Sequence, residues 1–397
     1  MAKPQPLIYL DSCATAPPRR GVVQAMASAY ATAWGNPSSL HPPGLAAAET
    51  LERSRFSIAA ALNACPDDVV FTSGATESVH LALGGLALSL NPGRVVISAV
   101  EHPAVHAAAH QLKSQGWEVA MWPVDSVGRI RLDCLEALLA PPTALVSLIW
   151  GQSEVGTLQP IHTVGKACAQ HVIPFHVDAT QVLSQGRPDW AQLPVDLLSA
   201  SGHKFGGPRG VGLLLARQPM RQRLCPLQGG GGQEQGLRSG TQAVPLIAAM
   251  AVALEQSPRW TPADSREETL DPIPPIAALR DQWMDALLQE SRLQLTGDPH
   301  WRLPHHLSFL VCDHRGEPVS GRALVRHLAQ RGIAVSSGSA CSSGQDTGSP
   351  ILRAMQVALP LQRSGLRLSL GPWLTPQQIS PVMEALQQAL TAVDQTR

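Results

Sequence analysis

At 397 residues, with 44% hydrophobic and 15% charged residues, the chain has the composition of a well-packed soluble protein and is too long for one small core. Its 30 basic and 30 acidic residues cancel and are scattered, which argues against nucleic acid or an anionic membrane as a partner. Met-Ala-Lys-Pro-Gln-Pro at the start lacks a signal peptide's apolar core, no apolar stretch is long enough to span a bilayer, and seven cysteines form no Cys-x-x-Cys pair, so a reducing, cytoplasmic setting is expected.

Short apolar, β-branched runs predict strands at Val69–Thr72, Arg94–Val100, Glu118–Val124, Ala144–Trp150, Ile173–Val177, Asp196–Ala200 and Gly212–Ala216. Helical patterns such as Ala75–Leu88, Pro103–Ser114 and Leu132–Leu139 fall between them. Alternation of this kind implies an α/β fold with a mainly parallel seven-stranded sheet covered on both faces, and ligands at the carboxyl ends of its strands. Proline-rich sequence between about Ser257 and Pro275 marks a boundary. Beyond it, His306–Val311, Arg322–Gln330, Ile333–Ser336, Leu366–Leu370 and a terminal helix from about Pro376 suggest a smaller α+β unit. The expected division is 15–256 as the large domain, and 1–14 with 257–397 as the small one.

Only four lysines occur: Lys3, Lys113, Lys166 and Lys204. Lys204 lies in the small-residue loop Ser-Gly-His-Lys-Phe-Gly-Gly after an apolar run, where a partly desolvated amine can form a Schiff base. Asp178 closes another apolar run in His-Val-Asp-Ala-Thr-Gln. A lysine for an aldehyde and an aspartate for a pyridinium nitrogen are the two anchors of pyridoxal phosphate. Phe-Thr-Ser-Gly-Ala75-Thr76-Glu-Ser reads as a strand end, a glycine turn and a helix start, which offers N–H groups to a phosphate. A capped helix end with no ligand is the alternative. Ser201 and His203 flank the lysine and supply further donors, and Gln181 is placed to reach the ring oxygen.

His102, His106 and His110 share one helical stripe and raise the possibility of a metal face. Pro103 puts His102 before the helix, however, where it is better placed to stack on a flat cofactor and shuttle protons. Cys341 sits among glycines and serines in an accessible loop, as a nucleophile requires, whereas an inert exposed thiol is the alternative. Arg367 projects from an apolar strand and needs an anionic partner, either a substrate carboxylate or a structural one.

Taken in order, Leu-Asp-Ser-Cys-Ala-Thr-Ala, Gly35-Asn36-Pro-Ser-Ser, Ser-Gly-Ala-Thr-Glu-Ser, Glu-His102-Pro-Ala-Val, His-Val-Asp178-Ala-Thr-Gln, Ser-Gly-His-Lys204, Leu-Arg-Ser-Gly-Thr241 and Ser-Ser-Gly-Ser-Ala-Cys341-Ser resemble the cysteine desulfurases. These are pyridoxal-phosphate enzymes of the class V aminotransferase superfamily, with the type I fold. The Ser-Gly-Ser-Ala-Cys form is similar to that of their group I branch.

The resemblance implies that Lys204 carries the cofactor covalently, Asp178 pairs with its ring nitrogen, His102 stacks on the ring and Gln181 bonds the phenolic oxygen. It implies that Ala75, Thr76, Ser201 and His203 hold the phosphate, joined by Thr241 from a partner subunit of a homodimer. Asn36 and Arg367 would grip the carboxylate of L-cysteine, and Cys341 would take its sulfur as a persulfide and release L-alanine. A sulfur-acceptor or iron–sulfur scaffold protein would then receive the sulfur. One departure stands out: Gly151-Gln152-Ser153 occupies the stretch where the family usually has an asparagine touching the ring. Two rival functions follow from the same residues: a cystine or cysteine C–S lyase or selenocysteine lyase that does without Cys341, and a weakly catalytic scaffold that docks sulfur acceptors.

Overall fold

The structure is a computed structural model that describes residues 7–264, 273–338 and 348–395. After a short first strand, β1 (Ile8–Tyr9), seven strands build the central sheet. They are β2 (Val69–Thr72), β3 (Arg94–Ser98), β4 (Glu118–Trp122), β5 (Thr143–Ile149), β6 (Phe175–Asp178), β7 (Leu197–Ser201) and β8 (Gly212–Ala216). All seven expected strands are present, with ends displaced by at most two residues. Their spatial order is β2-β8-β7-β6-β5-β3-β4.

The run β7-β6-β5-β3-β4 is parallel, because helices such as Pro103–Lys113 and Ile161–Gln170 carry the chain back between strands. β8 is antiparallel to both β7 and β2, since the Gly202–Val211 connection holds no crossover helix. Central strands are buried on both faces, so β5, β6, β7 and β8 read as continuous apolar runs. Among their polar residues, Ser147, His176 and Ser199 join three strands by hydrogen bonds of 2.8 Å between the imidazole and each hydroxyl.

The second layer system holds the antiparallel sheet β12-β13-β10-β9, formed by β9 (Leu293–Leu295), β10 (His306–Val311), β12 (Ser336–Ser337) and β13 (Gly365–Ser369). Its core includes Trp283, Phe309, Leu324 and Leu386, each at most 2% exposed, and burial of such a side chain contributes roughly 1.5–3 kcal/mol. The expected strand Ile333–Ser336 is split: β11 (Ile333–Ala334) pairs in parallel with β1, and β12 pairs with β13. The N-terminal segment competes for the first half of this run, a long-range pairing that local sequence does not encode.

Candidate functional site

A cavity of about 510 Å³ opens at the carboxyl ends of β2, β3, β5, β6 and β7, and residues from Cys13–Ala14 and Arg367 complete its wall. Ala75, Thr76, His102, Asp178, Gln181, Ser201, His203, Lys204 and Arg367 all line it. The residues from Ala75 to Lys204 meet because the strands that lead to them end side by side, whereas Arg367 comes from β13 of the second sheet.

Lys204 ends a one-turn helix that leaves β7. Its Nζ donates to the carbonyls of Cys13 at 2.7 Å and Ala14 at 3.0 Å. Asp178 ends β6, next to β7, and is 5% exposed; its Oδ1 accepts the Thr180 N–H at 3.0 Å. The lysine and the aspartate thus come from neighbouring strands.

His102 follows β3 and caps the helix Pro103–Lys113, with Nδ1 accepting the Ala104 N–H at 3.1 Å. That bond fixes the proton of the neutral ring on Nε2. Burial pushes the imidazole below its usual range; Lys204 acts the same way and Asp178 opposes both. His203 is pushed down to about 4, chiefly by burial and then by Lys204 and Arg209. Beneath His102, Glu101 is buried with Oε1 accepting from the Ser98 hydroxyl at 2.5 Å and the Ile149 N–H at 2.8 Å. Burial pushes this carboxyl up to about 8.

The helix Ala75–Ala87 begins at Gly74 with no side chain capping its first amides. Gly74 has a φ of 156°, a region open to glycine, and a Cβ there would stand 3.6 Å from the Ser201 hydroxyl. Gly212 passes so close below that a Cβ on it would meet Gly74 Cα at 2.6 Å. Uncapped amides, the Ser201 hydroxyl and His203 make a cradle for a phosphate. One end of the Gln181 amide donates to the Cys13 carbonyl at 3.0 Å, and the other has no partner among the described residues, which leaves it for a ligand. Cradle, carboxylate and amine fit pyridoxal phosphate, with the cavity size suited to a group of its dimensions.

Arg367 on β13 is buried; its Nη2 donates to Asp11 Oδ1 at 2.8 Å and its Nη1 to the Ser153 carbonyl at 3.0 Å. It has a structural anion in Asp11, and its side chain also lines the cavity. The Gly151–Ser153 departure takes a definite form. Gln152 turns into its own turn, where Oε1 accepts the N–H groups of Glu154 and Val155, the latter at 3.0 Å. It therefore does not stand in for an asparagine at the ring; Gly151 and Ser153 line the cavity instead.

Asn36 and Thr241 lie on exposed segments away from this cavity. Asn36 Oδ1 instead accepts the Ser38 N–H at 2.9 Å in a local turn. Cys341 falls outside the described residues. Sequence reasoning missed Cys13 and Ala14, which take part through main-chain carbonyls, and Glu154, whose surroundings are assembled only by tertiary packing.

The family model for aminotransferase class V matches residues 8–382. The cysteine desulfurase IscS of Dictyoglomus turgidum is 35% identical over 386 residues, covering 96% of this chain and 94% of that protein. That of Vibrio vulnificus is 37% identical over 389 residues, covering 96% and 92%. A solved NifS-like protein superposes with a TM-score of 0.84 at 29% identity, over 98% of this chain and 99% of that one. This chain accordingly belongs to the class V aminotransferases and, within them, to the pyridoxal-phosphate-dependent cysteine desulfurases.

Proposed function

We propose that the chain is a homodimeric cysteine desulfurase in which Lys204, Asp178, His102 and Arg367 serve one substrate and Cys341 receives its sulfur. The reaction is L-cysteine plus the Cys341 thiol giving L-alanine plus a Cys341 persulfide, so atoms and electrons balance within the pair. The observation that carries the reading is the meeting of the Lys204 amine, the Asp178 carboxylate and the uncapped helix start at Gly74 on one cavity.

Pyridoxal phosphate, when bound, supplies an electron sink for charge developing at the substrate α-carbon. Asp178 is the anion that keeps a ring nitrogen protonated, and its burial strengthens that pairing. Lys204 anchors the cofactor and is placed to move a proton at the substrate α-carbon. His102, with its proton held on Nε2, stacks and exchanges protons on the other side. Gln181 holds the phenolic oxygen, while Ala75, Thr76, Ser201 and His203 hold the phosphate. Arg367 binds the substrate carboxylate. Thr241, exposed here, reaches a neighbouring subunit's phosphate, and Asn36 acts near the substrate.

Residues 15–256 form the cofactor-binding domain, and 1–14 with 257–397 the small domain that brings Cys341. Among the described residues no helix is long and apolar enough to cross a membrane. We further infer a cytoplasmic setting and a sulfur-acceptor or iron–sulfur scaffold partner, since a persulfide on Cys341 needs a protein to receive its sulfur. Assaying the products of L-cysteine with Cys341→Ala tests the reading: alanine formation should collapse, undiminished alanine would show that Cys341 does not receive the sulfur, and pyruvate with sulfide in its place would favour a C–S lyase.

A further inference from the structure

Arg367 stands between two acids. On one side Asp11 accepts from its Nη2 at 2.8 Å. On the other lies Glu154, in the turn after β5, whose neighbour Ser153 offers its carbonyl to Nη1. Glu154 is 8% exposed, and its Oε1 has no hydrogen-bond partner among the described residues. The Nε of Arg367 is likewise buried without one. Gly338, next to β12, leaves room for the acid: a Cβ there would meet Glu154 Oε1 at 2.8 Å. Ser349 approaches the carboxyl from the start of the helix Pro350–Ala354.

The charges do not balance when everything is ionised. One guanidinium faces Asp11, Glu154 and, in the working enzyme, a substrate carboxylate. His306, which hydrogen-bonds the Ser153 carbonyl at 3.1 Å, and His305, beside Cys13, are held neutral by burial and supply no cation. Burial likewise keeps the Cys13 thiol protonated, so it adds no third anion. Two carboxylates against one guanidinium are tolerable in a buried site, and a third is costly unless one takes a proton.

We propose that Glu154 is a positioning residue for the reaction: it sets the charge at Arg367 and gains a proton when a substrate carboxylate binds there. The inference rests on the reading of Arg367 as the carboxylate holder. It accounts for an acid that touches neither cofactor cradle nor lysine yet is buried against the substrate-binding arginine. Burial already pushes Glu154 up to about 7, with Ser349 and Arg367 opposing, so the exchange falls within the working range of pH. The sign follows: binding is strongest where the proton is already present, below about 7, and weakens as pH rises above it.

The test measures competitive inhibition by L-alanine between pH 6 and 9 in the holoenzyme and in Glu154→Gln, Glu154→Asp and Arg367→Gln. Changes shared by all enzymes, such as ionisation of the ligand amine, cancel in the ratio of wild-type to Glu154→Gln inhibition constants. That ratio should rise by up to about tenfold per pH unit above the Glu154 midpoint. Glu154→Asp should restore the pH dependence with a displaced midpoint, which a purely structural role would not do. If Glu154→Gln tracks the wild type at every pH while Arg367→Gln loses the inhibitor, the inference fails and the reading of Arg367 stands. If Arg367→Gln binds L-alanine as well as the wild type, the reading of Arg367 itself falls.

Discussion

Lys204 and Cys13 are joined across 191 residues by a hydrogen bond of 2.7 Å from the lysine amine to the cysteine carbonyl. The bond ties the loop after β7 to the N-terminal segment, so the amine is aimed by main chain from two distant parts of the sequence. A main-chain acceptor cannot be lost by side-chain substitution.

Lys204→Ala should fold, because the side chain is only partly buried and its partners are carbonyls that water can also serve. The purified variant is expected to lose the visible absorbance of a covalently attached cofactor. Alanine formation should fall roughly 10³-fold. Retention of a borohydride-reducible linkage would contradict the assignment.

Arg367→Gln is expected to raise KM for L-cysteine more than it lowers kcat. A charge-assisted hydrogen bond is worth about 1.5–3 kcal/mol, or roughly ten- to a hundredfold. Steady-state kinetics at saturating cofactor separate the two terms. A fall confined to kcat would place Arg367 elsewhere in the reaction.

His176 gives a prediction about the fold. Its ring is fully buried between the hydroxyls of Ser147 and Ser199, and burial pushes it down to about 3 from the usual 6.5. Between those values the unfolded chain takes up a proton that the folded chain refuses, so stability falls as pH drops through that window. The slope is about 1.4 kcal/mol per pH unit for each such group. His176→Leu should cost about 2–4 kcal/mol at neutral pH, since two buried hydroxyls lose a partner. It should also flatten the pH dependence, measured by denaturant unfolding at pH 7, 6 and 5. An unchanged slope would show that His176 is not the group that titrates.

Gln152→Ala tests the turn after β5. Removing an oxygen that accepts two main-chain N–H groups should destabilise the protein by about 1–3 kcal/mol in thermal or chemical melts. The absorbance of the bound cofactor should not move, because both ends of the Gln152 amide are engaged with main chain, Oε1 in its own turn and Nε2 at the Val100 carbonyl at 3.3 Å. A spectral shift would mean that Gln152 reaches the ring after all.

Much of the sheet was legible because strands buried on both faces leave largely apolar runs, as the parallel Thr143–Ile149 and the antiparallel Gly212–Ala216 do. Lys204 and Asp178 could be linked in advance, since one strand–helix excursion separates them and their strands are adjacent. What stayed hidden depends on long-range pairing. The split at Val335 follows from the arrival of residues 8–9 beside β11. The role of Cys13 passes through a carbonyl, which every residue possesses, so the motif that contains it did not show what the residue does. Nothing in the local sequence singles out Glu154; Gly338, Ser349 and Arg367 come to it from distant parts of the chain. Asn36 and Thr241 were readable only through the family resemblance, and within one chain they lie outside the cavity.

The central claim is that sulfur leaves L-cysteine for Cys341. The most direct measurement is mass spectrometry of the holoenzyme after brief treatment with L-cysteine and alkylation, followed by digestion. A mass increase of about 32 Da, one sulfur atom, is expected on the Cys341 peptide and on no other cysteine peptide. Alanine formation with no added sulfur on that peptide would contradict it.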